Sequence, residues 1–138
     1  MKSKASARWE GSLKGGKGYL NSENALDNVP YTFLTRFEKK GANPEELLAA
    51  AHAGCFSMAL SMILGEAGFE PESISTEVEI TLEKTGEGFA ITGSHLNVTA
   101  RITGASDEEF RNAAEKAKDN CPVSKLFNTQ ITMEARLE

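Results

Sequence analysis

At 138 residues the chain is sized for a single domain, and a chain of that length can bury enough apolar surface to fold without disulfide staples. Its formal net charge of -5 argues against a nucleic-acid partner. Met1 to Lys17 carries no apolar core of the kind a signal peptide needs, so a cytoplasmic protein with reduced thiols is expected.

Taken in order, Ala7 to Leu13 and Lys17 to Ser22 read as short strands around the Gly15-Gly16 turn. Ser22 to Pro30 is polar and irregular. Tyr31 to Glu38 reads as a third strand, with Phe33, Thr35 and Phe37 on one face and Thr32, Leu34 and Arg36 on the other.

Asn43 to Gly65 then reads as one long helix. Asn43 can cap it, Pro44 suits its first position, and Gly65 can close it in a left-handed conformation. Leu47 to Leu64 contains no charged residue. The stretch is long enough to raise a membrane span. Its Ala, Ser and His52, and the lack of flanking Lys or Arg, favour a core helix instead, so no membrane partner is expected. A helix apolar all round must be buried all round, and one sheet covers only one side. A second subunit is the expected cover for the other.

Ile74 to Lys84 alternates, with Ile74, Val78, Ile80 and Leu82 opposite Glu77, Glu79 and Glu83, which is the pattern of a half-buried antiparallel strand. Phe89 to Thr103 changes phase midway, and a bulge near Gly93-Ser94 would reconcile its halves into a hairpin. Ser106 and Glu109 form a capping-box pair that opens a second helix, Asp107 to Asp119. Pro122 suggests a short helix with Cys121 at its N-cap, and Thr129 to Leu137 is a last strand. The whole is an α+β domain over residues 1–138: an antiparallel sheet with a long buried central helix and a second helix on one face.

The two cysteines, Cys55 and Cys121, are neither a zinc pair nor a Cys-X-X-Cys motif, and no metal or cofactor is expected. At a helix start, the unpaired amides would favour negative charge on the Cys121 sulfur. Cys55 lies mid-helix, where burial disfavours a thiolate unless a cation approaches. Spacing alone leaves two readings open: a two-thiol redox site, or two small buried hydrophobes. His52, three residues before Cys55, could serve as its base, but a histidine packed on the helix surface is the simpler reading. Glu45 and Glu46 are most simply explained as first-turn acids that favour the helix dipole.

The run NPEELLAAAHAGCFSMALSMILGEAGF from Asn43, followed much later by Cys121-Pro122-Val123-Ser124, resembles the OsmC branch of the OsmC/Ohr family. So do Trp9-Glu10-Gly11, the stretch from Pro30 to Glu38, and Gly88 to Thr92. The resemblance covers nearly the whole chain. It implies an intertwined homodimer with sites at the subunit interface, and a thiol-dependent peroxidase reducing organic hydroperoxides to alcohols. It makes Cys55 the peroxidatic nucleophile, Cys121 the resolving thiol, and Arg36 and Glu45 the catalytic ion pair. The Cys55 sulfenate would be resolved as a Cys55–Cys121 disulfide, which an external dithiol, of the lipoyl type, would reduce.

Glu45 and Cys55 are separated by about 15 Å of helix rise, so an Arg36–Glu45 pair is expected to act on the thiol of the other subunit. Phe33, Phe37, Met58 and Phe127 are candidate walls of an apolar substrate pocket. Two other readings compete: a thiol–disulfide oxidoreductase acting on proteins, and a noncatalytic dimeric module binding an apolar small molecule.

Overall fold

The computed structural model describes residues 1–138. The chain divides into two compact units, Met1–Leu47 and Leu48–Glu138.

In the first unit, β1 (Ala5–Glu10), β2 (Lys17–Ser22) and β3 (Val29–Tyr31) form an antiparallel sheet in that order. Gly18 of β2 lies opposite both Trp9 and Tyr31. Those two rings meet at 5.5 Å between centroids, and a Cβ on Gly18 would stand 2.8 Å from Trp9 Cε3. Only glycine fits beneath them.

The strand expected over Tyr31 to Glu38 is not formed. β3 ends at Tyr31, and α1 (Thr35–Glu38) is a single helical turn that carries Arg36. The alternation of Phe33, Thr35 and Phe37 is overridden by two threonines. Thr32 N–H donates to Thr35 Oγ1 at 3.1 Å and Thr35 N–H donates to Thr32 Oγ1 at 3.2 Å. The Thr35 hydroxyl also bonds the Ala42 carbonyl at 2.8 Å. Such local side-chain bonds offer the backbone an alternative to a sheet ladder. Lys39, at φ 55°, ends the turn in the left-handed region.

The long helix α2 (Pro44–Glu66) opens as expected, with Glu46 N–H donating to Asn43 Oδ1 at 2.8 Å. It closes one turn of chain later than Gly65. Gly68, at φ +90°, takes the left-handed position, and Phe69 N–H bonds the Leu64 carbonyl at 2.9 Å. This is a Schellman ending.

In the second unit, β4 (Pro71–Thr85) and β5 (Gly88–Ile102) form the hairpin. Thr81 pairs with Gly93 and Leu82 with Ile91, so Thr92 is the extra residue that changes the phase of β5. α3 (Asp107–Asn120) starts with the full capping box of Ser106 and Glu109. α4 (Pro122–Leu126) has Cys121 as its N-cap, and β6 (Gln130–Leu137) completes the sheet.

The sheet order is β4-β5-β6, and β6 runs parallel to β5. The sheet is therefore mixed, its antiparallel hairpin extended by one parallel strand. The cause is the connection: α3 and α4 form a crossover long enough to return the chain to the same end of the sheet.

The core lies between α2, α3 and β5. It joins Phe56, Leu60 and Leu64 to Leu96, Val98 and Ala100, and to Phe110, Ala114 and Ala117. The buried face of α2 is the four-residue ladder His52, Phe56, Leu60, Leu64. Within one chain the opposite face is bare, with Met58 76% and Met62 61% exposed. Burial on all sides is thus not achieved by this chain alone.

Candidate active site

The four residues singled out in the sequence fall into two pairs, one in each unit. Arg36 and Glu45 form the first. Arg36 Nε donates to Glu45 Oε2 at 3.1 Å, and a terminal guanidinium nitrogen meets Glu45 Oε1 at 3.0 Å. The pairing is bidentate, which fixes the guanidinium plane as well as its position. Glu45 reaches it from the first turn of α2, and the Thr32–Thr35 bonds hold α1 opposite. The glutamate side chain is only 12% exposed and the arginine 30%. Beside the arginine, Trp9, Leu13, Tyr31, Phe33 and Pro44 line an apolar cleft of about 240 Å³. Of the four proposed pocket walls, Phe33 lines this cleft and Phe37 packs edge-on against it at 5.2 Å. Met58 lies on the bare face of α2, and Phe127 packs on His52.

The second pair is the thiols. Cys55 sits mid-way along α2, half-buried against the core, and Cys121 is fully buried at the start of α4. Both are free and pack into the same core, where Cys121 lies close enough to disfavour charge on Cys55. Burial pushes the Cys55 thiol up from its ordinary value. A hydrogen bond from the Val123 backbone pulls it down, and the neighbouring Cys121 raises it again. Cys121 is held in place by Ser124, whose N–H donates to Cys121 Sγ at 3.3 Å and whose hydroxyl lies 3.2 Å from the same sulfur. Pro122 makes this geometry natural, since its fixed φ starts the helix immediately after the cysteine.

His52 is neither on the helix surface nor bonded to Cys55. It is fully buried, with Nδ1 2.7 Å from Ser94 Oγ and Nε2 2.7 Å from Ser124 Oγ. Phe127 covers its ring edge-on at 5.0 Å. Sequence reasoning passed over Ser94 and Ser124. The available signal was the i, i+4 ladder that puts His52 in line with Phe56, Leu60 and Leu64, because a histidine on a core ladder needs buried partners.

Burial holds His52 below the usual imidazole value of 6.5. The unfolded chain therefore takes up this proton first as pH falls. The stability contributed by keeping His52 neutral is whole above about pH 6.5, and it is lost as pH falls through the native value. Urea midpoints should drop as pH falls below about 6.5, and His52→Gln should flatten that part of the profile.

The sequence pattern of the family described as OsmC-like protein matches residues 37–136. Peroxiredoxin OsmC of Escherichia coli K12 is 48% identical over 137 residues, covering 98% of this chain and 96% of the relative. The organic hydroperoxide resistance protein OhrA of Bacillus subtilis is 34% identical over 123 residues, covering 83% of this chain and 84% of its own. Among solved structures, an OsmC-like protein from Mycoplasma pneumoniae aligns with a TM-score of 0.76 at 14% identity, over 99% of this chain and 97% of that one. OhrB of Bacillus subtilis aligns at 0.72 with 22% identity, over all of this chain and 98% of its own. These two similarities concern the fold, which is α+β with the helices on the sheet. With a matching pattern through both the thiol helix and the distal Cys-Pro, and a relative nearly half identical from end to end, the chain belongs to the OsmC-like family of cysteine-based peroxidases.

Proposed function

We propose that this peroxidase reduces organic hydroperoxides to alcohols, acting in the cytoplasm as a homodimer whose protomers each work as one domain. The observation that carries the reading is that two free thiols on separate elements, Cys55 of α2 and Cys121 of α4, pack into one core close enough for Cys121 to disfavour charge on Cys55.

The Cys55 thiolate attacks the terminal oxygen of the hydroperoxide. The O–O bond breaks, the alkoxide leaves with its electron pair, and a proton converts it to the alcohol. Cys55 is left as a sulfenic acid. Cys121 then attacks that sulfur, hydroxide leaves as water, and an intramolecular disulfide remains. An external dithiol, of the lipoyl type, reduces it by thiol–disulfide exchange.

The raised Cys55 thiol needs a cation to ionise near neutral pH, and Arg36 of the other subunit is the proposed source. The permanent charge of Arg36 offsets the desolvation of the thiolate and stabilises the developing alkoxide. Glu45 keeps the guanidinium from rotating away. The apolar cleft beside Arg36 supports a preference for hydroperoxides with a hydrocarbon part over hydrogen peroxide.

Stopped-flow oxidation of the reduced protein by cumene hydroperoxide and by hydrogen peroxide, with intact mass at each stage, tests this. Fast oxidation selective for the organic peroxide, ending in loss of about two mass units per chain, is expected. Slow, unselective oxidation, or accumulation of sulfinic acid at Cys55, would overturn it.

A further inference from the structure

The peroxide step leaves three buried polar side chains unused: His52, Ser94 and Ser124. Their bonds run in one line. Ser94 Oγ meets His52 Nδ1 at 2.7 Å, His52 Nε2 meets Ser124 Oγ at 2.7 Å, and Ser124 Oγ meets Cys121 Sγ at 3.2 Å. The line draws on β5, α2 and α4, so it is assembled only in the folded unit. A histidine kept for packing alone is content with any two partners. Here one ring nitrogen leads, through a single hydroxyl, to a sulfur.

We propose that Ser124 and His52 form a proton relay that governs the attack of Cys121 on Cys55, with Ser124 as its catalytic member and His52 as the positioning residue behind it. The proposal rests on the two-thiol reading above, and it concerns resolution rather than peroxide reduction.

A neutral imidazole has one donor and one acceptor. With Nδ1–H given to Ser94, Nε2 accepts the Ser124 hydroxyl proton. The serine oxygen is then free to accept the Cys121 S–H. The thiol proton is drawn away from Cys55, and a sulfur lone pair is left for the attack. Burial keeps His52 in this neutral, accepting form near neutral pH. The groups against the ring are Ser94 from β5, Ser124 with Cys121 behind it from α4, and the Phe127 ring, and the nearest titratable residue along the sequence of α2 is Cys55, three positions on. None of the ring's hydrogen-bond partners is a carboxylate or a cation.

As Cys121 attacks, its proton passes to Ser124 Oγ while the serine proton passes to His52 Nε2. The S–S bond forms and the S–O bond of the sulfenic acid breaks, its electron pair leaving with hydroxide. That hydroxide takes up one proton and departs as water, and His52 gives up the proton it received. The balance is one thiol and one sulfenic acid giving one disulfide and one water.

The test uses a chromogenic aryl disulfide in place of peroxide. Cys55 attacks the reagent and releases one coloured thiolate. Cys121 then attacks the Cys55 sulfur and releases a second. In the unaltered protein the second release should slow as pH falls through the protonation of His52. His52→Gln, which can bond Ser124 but cannot carry the proton, should slow the second release about tenfold or more relative to the first and flatten its pH profile. Ser124→Ala, a smaller change, should do the same. Second-release rates and profiles equal to those of the unaltered protein would overturn the relay. Both releases slowing together, with a lowered melting midpoint, would also overturn it, in favour of a purely structural network. If cumene hydroperoxide gives no disulfide while the second aryl release still depends on His52, the peroxidase reading fails and the relay stands.

Discussion

Cys55→Ser should end hydroperoxide consumption, with steady-state turnover of cumene hydroperoxide falling by on the order of 10³ or more. A serine hydroxyl is not ionised in this range, and the nucleophile of the reaction is a thiolate. The loss should be the same at every pH accessible to the fold, because no other thiol stands at this point of α2. Cys121→Ser should behave differently. Its Cys55 still meets peroxide, so the first oxidation proceeds, but the sulfenic acid has no neighbouring thiol. Intact mass should then show one added oxygen, followed by a second as sulfinic acid forms. If Cys55→Ser retains turnover while Cys121→Ser loses it, the two roles are reversed.

The second large effect concerns the ion pair. Arg36→Met should lower kcat/KM for cumene hydroperoxide by about 10²–10³, the usual consequence of losing one preorganised charge at a developing anion. Glu45→Ala leaves the cation but frees its plane, and should act in the same direction. Helix rise puts Glu45 about 15 Å from Cys55 along α2, so the pair is proposed to serve the thiol of the other subunit. Chains carrying Cys55→Ser and chains carrying Glu45→Ala are each defective, yet a hybrid dimer would hold one site with every part intact. Random exchange at equal amounts should restore roughly a quarter of the full activity. No recovery after exchange has been verified by mass would rule out action in trans.

Much of the fold was legible because local signals agreed with global ones. The Asn43 cap, the Ser106–Glu109 box and the phase change in β5 are short-range features, and each stands where the sequence places it. Three features were not legible in that way. The alternation from Tyr31 to Glu38 is a sound strand pattern, but two threonine hydroxyls satisfy the backbone locally and bend it into α1. The direction of β6 depends on where a crossover returns the chain, which no property of Thr129 to Leu137 encodes. Gly65 offered a helix stop, but an equally suitable Gly68 follows it, and the helix ran on to the later one.

The candidate residues divide in the same way. Cys55, Cys121, Arg36 and Glu45 were recognised from a long motif, and spacing alone left the cysteines ambiguous. Ser94 and Ser124 escaped notice because a serine carries no signal until its partner is known. Their partner lies on a different element in each case.

The neighbouring positions of Cys55 and Cys121 have a consequence for the energetics of the cycle. The two residues lie far apart in the chain, so a bond between them closes a loop of roughly half its length. On the chain-entropy account, such a loop removes about 4 kcal/mol of freedom from the denatured ensemble. Each turnover would then carry the protein between a looser reduced form and a tighter oxidised one. Electrons from the reductant would lower the melting temperature as they restore activity, and the enzyme would resist heat best at the moment when oxidant is in excess.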